Sequence, residues 1–147
     1  MINDMIKGVS FDGKHSYWEY GLITASAPVV SLPVPKTKMV EVPGADGALD
    51  LTGSLTGEVH YEMRTITCKF KLMGDMAQQN AICEKVINAI HGKRFDQIVL
   101  DTDETYYYTG RAAVTAVKHQ AYYGDMTIVA TVEPRKRPRF YKGEAVL

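Results

Sequence analysis

The chain lacks most of the signals that mark an enzyme, a metalloprotein or a membrane protein. Its 147 residues contain two cysteines and no run of 18 apolar residues, and 17 basic side chains balance 17 acidic ones. The four histidines are scattered, without HExxH or CxxC spacings, and neither a GxSxG elbow nor a glycine-rich phosphate loop occurs. We therefore predict no catalytic site, no cofactor, no metal, no nucleic-acid specificity and no membrane span.

The overall composition predicts one folded domain. An apolar fraction of 46% and a charged fraction of 23% are typical of globular proteins. A chain of this size can bury about 68–70% of its unfolded surface without disulfides. Because the charged start, residues 1–8, is unlike a signal peptide, Cys68 and Cys83 are predicted to be free, buried thiols.

A basic segment closes the sequence. Residues 133–142 read EPRKRPRFYK, with five basic residues against one acidic residue and two prolines that oppose both helix and central strand. We predict a domain at 1–134 and a basic, extended arm at 135–147. The arm is either a solvated tail or a segment that docks on an acidic patch of a neighbouring protein, for which residues 101–104, DTDE, are the available cluster.

The segment 37–52 predicts a β-hairpin arm. Two turn dipeptides, Pro43-Gly44 and Asp46-Gly47, stand between segments of strand-like composition. Proline presets φ for position i+1 of a turn, glycine supplies the positive φ at i+2, and aspartate accepts hydrogen bonds from nearby backbone.

One helix is predicted at about 75–91. Asp75 and Gln78 have the spacing of a capping box, and Gly92 supplies the stop. Six residues at helical spacing are expected to face a sheet: Met76, Gln79, Cys83, Val86, Ile87 and Ile90.

The longest predicted strand, residues 60–72, changes its apolar face near the middle. Before Arg64 the apolar residues are Tyr61 and Met63, whereas after it they fall on the opposite parity, from Ile66 to Leu72. Tyr61, Met63 and Arg64 are therefore expected to face a different partner, with another subunit as a candidate. Arg64 itself either snorkels to solvent or pairs with a carboxylate such as Asp50.

Three more strands are predicted at 94–101, 106–119 and 125–133, the last two joined around Tyr122-Tyr123-Gly124. The predicted fold class is α+β, mostly β. It is an antiparallel β-sandwich or partly open barrel with one covering helix and the extended hairpin arm. Nine tyrosines exceed the needs of one core, so some face outward, either at subunit interfaces or because strands favour tyrosine.

Three pieces of this sequence, in order, resemble the N-terminal ring-forming domain of the distal tail protein (Dit) family of long-tailed bacteriophages and prophages. They are 8–22 (GVSFDGKHSYWEYGL), 42–52 (VPGADGALDLT) and 61–70 (YEMRTITCKF). One departure is Ala45, where the family commonly has a basic residue after Pro-Gly, so any salt bridge made there in relatives is not expected here. Longer family members continue into a second domain, and this chain is expected to be the ring domain alone.

The resemblance implies a structural protein of the virion, assembled in the host cytoplasm, that forms a sixfold ring at the baseplate hub between tail tube and tail tip. Its implied partners are other copies of itself, the tail tube protein and the tail-tip or tail-associated lysin protein. The hairpin would then make the subunit interface, through Val42, Pro43, Gly44, Asp46, Gly47, Leu49 and Asp50. The alternatives are the major tail tube protein and a non-enzymatic adaptor or ligand-binding module with the aromatic side chains as its recognition surface.

Overall fold

The computed structural model describes residues 7–51 and 59–147. Ten strands and two helices occur among these residues. In chain order they are β1 (Val9–Phe11), β2 (Lys14–His15), α1 (Ser16–Tyr20), β3 (Ile23–Val30), β4 (Met39–Glu41), β5 (Ala48–Asp50), β6 (Arg64–Met73), α2 (Met76–Ile90), β7 (Lys93–Leu100), β8 (Asp103–Lys118), β9 (Tyr123–Val132) and β10 (Arg137–Pro138).

Eight of the strands form one open antiparallel sheet. Its spatial order is β2-β1-β7-β8-β9-β6-β3, and β10 pairs with β8 off this path. The strands β2 and β3 are its two edges, so the sheet does not close into a barrel. The predicted class, mostly β with a covering helix, is confirmed. The hairpin β4–β5 forms a separate two-stranded sheet.

The centre of the sheet follows directly from residue alternation. Along β6, Ile66, Cys68, Phe70 and Leu72 are buried, and Thr65, Thr67, Lys69 and Lys71 turn away from the core. Ten residue pairs join β6 to β9, from Arg64↔Val132 to Met73↔Tyr123, and β9 alternates in the same way. The buried side chains of β6 and β9 therefore lie on one face of the sheet, which packs against α2. The other face remains open to solvent.

Helix α2 begins and ends as the sequence predicts. Asp75 accepts a hydrogen bond from the Gln78 backbone N–H and Gln78 bonds back to the Asp75 N–H, which completes the capping box. The buried stripe consists of Gln79, Cys83, Val86 and Ile90. The prediction that Met76 and Ile87 face the core is wrong, since their side chains are 50% and 39% exposed. At 3.6 residues per turn, both lie on the flank of this stripe rather than at its centre.

The buried Gln79 ties the helix to the sheet. Its side-chain nitrogen donates to the backbone oxygens of Gly74 and Gln120, at 2.9 and 2.7 Å, so its oxygen is left to accept from His119 Nδ1 at 3.1 Å. An apolar residue here would leave these partly buried carbonyls without this donor. Gly124 must stay small, since a Cβ there would lie 2.5 Å from the Gln79 oxygen.

The short helix α1 was not predicted. His15 caps it, because its Nδ1 accepts from the Tyr17 N–H at 3.0 Å, and its Nε2 then donates to Asp101 at 2.6 Å. Asp101 also accepts from the Gly8 N–H at 2.8 Å. The pair thus joins the N-terminal segment to the end of β7. Both ring nitrogens of His15 are engaged in holding the fold together.

The basic segment lies against its own chain. Its strand β10 pairs with Tyr106 and Tyr107 of β8. The Lys136 ammonium lies 2.6 Å from the Asp103 carboxylate, and the Arg139 guanidinium donates to the Glu104 carbonyl at 2.7 Å. Residues 103 and 104 belong to the acidic cluster named above for the second alternative, docking on a neighbouring protein. The contact therefore forms within one chain, and the prediction of a solvated tail is wrong for residues 136–139.

Candidate subunit-interface surfaces

The predicted hairpin arm is present, with its turn as expected. The Ala45 N–H donates to the Val42 carbonyl at 3.1 Å, with Pro43 at i+1 and Gly44 at i+2. Gly44 has φ +79° and Gly47 has φ +74°, values that L side chains rarely adopt. Glycine is therefore required by the backbone at both positions. Thr52, the last residue of the predicted hairpin, lies outside the described residues.

The arm is the outward continuation of the β3–β6 pair. Beyond the end of β3, the Ser31 N–H donates to Thr65 O, the Glu62 N–H to Val34 O, and the Lys36 N–H to His60 O, at 2.7–2.9 Å. The Leu51 N–H donates to Lys38 O at 2.7 Å, just below β4 and β5. We call residues 34–51 and 59–62 the arm. It is a two-stranded ribbon rooted in the edge of the main sheet.

The arm carries apolar side chains that it does not bury. Every residue from Val34 to Asp50 is exposed, which includes the seven predicted interface residues of the hairpin. Met39, Val42 and Leu49 are 55%, 43% and 52% exposed. An isolated two-stranded hairpin is marginally stable in water, and exposed apolar surface of this kind marks contact sites. The ribbon therefore presents an apolar surface that its own chain does not cover.

Arg64 stabilises the base of the arm, where the arm leaves the main sheet. Its side chain is buried, with Nε donating to Ser31 O at 3.0 Å and Nη1 donating to Pro134 O at 3.1 Å. The guanidinium also lies 5.4 Å from the centroid of the Tyr108 ring. The snorkelling interpretation of Arg64 is therefore wrong. The residue joins the start of the arm, β6 and the C-terminal segment of one chain.

Tyr61 and Met63, which were also predicted to face a different partner, are more accessible to solvent than Arg64. Tyr61 pairs with Pro35 in the arm, and the Arg135 guanidinium lies 5.5 Å from its ring centroid. Met63 is 49% exposed and lies on the outer face of the sheet. Of the three candidate interface residues, Tyr61 and Met63 present surface and Arg64 supports them.

The outer face of the sheet also holds a groove that sequence reasoning missed. It encloses about 370 Å³, and its lining includes Met63, Arg94, Arg111, Ala113, Val129 and Thr131. These side chains meet because β7, β8 and β9 are neighbours, with Arg94 paired to Arg111, Arg111 to Thr131, and Ala113 to Val129. We call it the outer groove. No spacing in the linear sequence signals it, since its residues come from four separate segments.

Both cysteines and His91 form part of the fold itself. Both cysteines are free and buried, and burial raises the pKa of Cys68 to about 12 and raises that of Cys83 as well. His91 Nδ1 accepts from the Val114 N–H at 2.9 Å. Within 7–51 and 59–147, no three His, Cys, Asp or Glu residues are grouped to hold a metal ion. No helix in the same ranges is long and apolar enough to cross a membrane.

Comparison with known proteins bears on the fold. No family model and no curated protein matches the sequence. Among solved structures, the crystal structure of the Dit (gp 19.1) protein of phage SPP1 is similar, with a TM-score of 0.66 and 14% sequence identity. The similarity covers 90% of this chain and 52% of that one, so the chain spans about half the length of its structural neighbour. That protein is described as a paradigm of the hub adsorption apparatus in phages infecting Gram-positive bacteria. The resemblance expected from three sequence pieces is confirmed as a shared fold.

Proposed function

We propose that this chain is a structural protein of a phage tail, a distal tail component that assembles into a ring between tail tube and tail tip. The observation that carries the proposal is the arm, a rooted ribbon with exposed apolar side chains. The fold shared with the SPP1 Dit protein supports the same assignment. The proposed function therefore depends on surfaces that bind other subunits, and not on reactive side chains.

The position of the arm is compatible with a ring. The arm leaves the sheet at one edge strand, β3, so a partner that accepts it does so with a different part of its surface. Contacts between two different patches can repeat head-to-tail, and they close into a ring when the rotation between neighbours permits. Six copies are the number that the family resemblance implies.

The two faces of such a ring would meet different partners. We assign one face to the tail tube protein and the other to the tail-tip or tail-associated lysin protein. The exposed side chains of Met73, Met76, Tyr122 and Tyr123, where β6 meets α2 and β8 meets β9, form one surface suited to such a contact. The protein would be assembled in the host cytoplasm and end in the virion.

Electron microscopy of the purified chain at high concentration separates this proposal from the tail tube alternative. We expect isolated rings of uniform diameter, because the lateral contacts close on themselves and the two faces of the ring are proposed to bind other proteins rather than each other. Long hollow tubes would instead identify a tube protein, which polymerises by stacking such rings. Single particles without a central hole would contradict both, and would favour an adaptor or ligand-binding module.

A further inference from the structure

We propose that the outer groove receives the arm of a neighbouring copy of this chain. The inference rests on the proposed function, since it names the surface on which the arm docks. In the structure every residue of the arm from Val34 to Asp50 is exposed. The arm is therefore not seated in the groove of its own chain, and a second copy is the occupant that carries the matching surface.

The shape of the groove suits a β-ribbon with apolar side chains. Its floor is shallow because the small Ala113 faces Val129 across the β8–β9 pair. The half-exposed Met63 forms one wall. Methionine adapts its shape to what it contacts, so this wall can close against the side chains of Val42 and Leu49. Burial would remove apolar surface of both partners from water.

The charges of the groove and of the arm are also complementary. The groove lining holds two guanidinium groups, Arg94 and Arg111, and no carboxylate. Arg111 donates to the Gly92 carbonyl at 2.6 Å, and Arg94 lies 3.8 Å from the Glu133 carboxylate just outside. The arm presents Glu41 and Asp46 beside its apolar side chains. Lys36 and Lys38 lie nearer the base of the arm, and its outer part, residues 41–50, carries acidic but no basic side chains. This acidic, apolar outer part therefore meets a basic, apolar groove, and such complementarity fixes register and partner choice.

Site-specific cross-linking tests the contact. Asp46→Cys at the tip and Thr131→Cys in the groove both introduce exposed thiols, while the native Cys68 and Cys83 are buried. With a thiol-specific bifunctional reagent, we expect the double variant to give a ladder of covalent oligomers that ends at the closed ring. The control pairs Asp46→Cys with Lys14→Cys, which lies on the opposite edge strand β2 and should give no ladder.

Charge reversal supplies an independent test of the same groove. Arg94→Glu with Arg111→Glu should weaken assembly by at least about tenfold, and Glu41→Arg with Asp46→Arg in the same chain should restore it. Lys14→Glu is the control and should assemble normally.

The outcomes distinguish the two proposals. A wild-type chain that forms rings, with no ladder from the groove pair and no effect of charge reversal, would overturn the outer groove alone. A wild-type chain that remains monomeric would overturn the ring and the groove together. If the reversed variant does not fold, the cross-linking result decides.

Discussion

Replacing Gly44 and Gly47 together by valine is expected to abolish ring assembly while the body of the protein stays folded. Both glycines have positive φ, and a left-handed conformation costs a β-branched residue about 1–2 kcal/mol or more at each position. Neither turn contacts the core, because the whole tip is exposed. The loss therefore falls on the shape of the arm. Light scattering should report monomers, with an unfolding temperature by circular dichroism close to that of the wild type.

The matched control replaces the same two residues by asparagine. Asparagine adopts positive φ more readily than other L residues, so the turn and the ring should both survive. An unchanged ring in the valine variant would contradict the role of the arm. Loss of folding in that variant, without a separable loss of assembly, would contradict it equally.

Gly110→Ala is expected to destabilise the fold strongly, although the same change in most strands is favourable. Gly110 lies between Phe95 on β7 and Val132 on β9, and a Cβ there would be 2.1 Å from the Thr131 carbonyl oxygen. Backbone atoms cannot move aside as a side-chain tip can. We expect a loss of about 3 kcal/mol in unfolding free energy and a fall in Tm of roughly 10 °C, measured by urea and thermal unfolding.

Ala113→Val provides the comparison for this variant. It adds a β-branched side chain three residues along the same strand, on the outer face where the groove leaves room. Its Tm should stay near that of the wild type. A Gly110→Ala protein as stable as the wild type would show that the β7–β8–β9 backbones lie further apart than described.

Much of the fold follows from local sequence signals. Asp75 and Gln78 predict the start of α2 because a capping box satisfies backbone N–H groups that no later residue can reach. Pro43 and Gly44 predict the arm turn because few other residues adopt its dihedral angles. The strands β6 and β9 alternate so regularly that their inward faces were predictable from residue order alone.

The misses have physical causes as well. Helix α1 has five residues, too few for a periodic pattern, and its cap is a histidine whose role depends on Asp101, 86 positions away. The basic segment was expected to be solvated or docked elsewhere because sequence does not show that one side of β8 is left open for β10. Arg64 was misjudged because its partners are backbone carbonyls, which carry no sequence signature.

Of the two candidate surfaces, the arm could be predicted from the sequence and the outer groove could not. The arm is a local feature, so the sequence predicts its position and tip residues. The outer groove depends on strand order, which brings Arg94 of β7 and Arg111 of β8 next to Thr131 of β9. The small Ala113 at its floor leaves no mark in the sequence, since alanine occurs in many strands.

Light scattering coupled to size-exclusion chromatography tests the central claim most directly, because self-assembly through the arm requires a defined number of copies. For a 16.4 kDa chain, six copies have a mass of about 98 kDa, and a closed ring keeps this mass as the protein is diluted or concentrated. We predict one species near this value for the wild type. A mass of 16.4 kDa at every concentration would contradict the account.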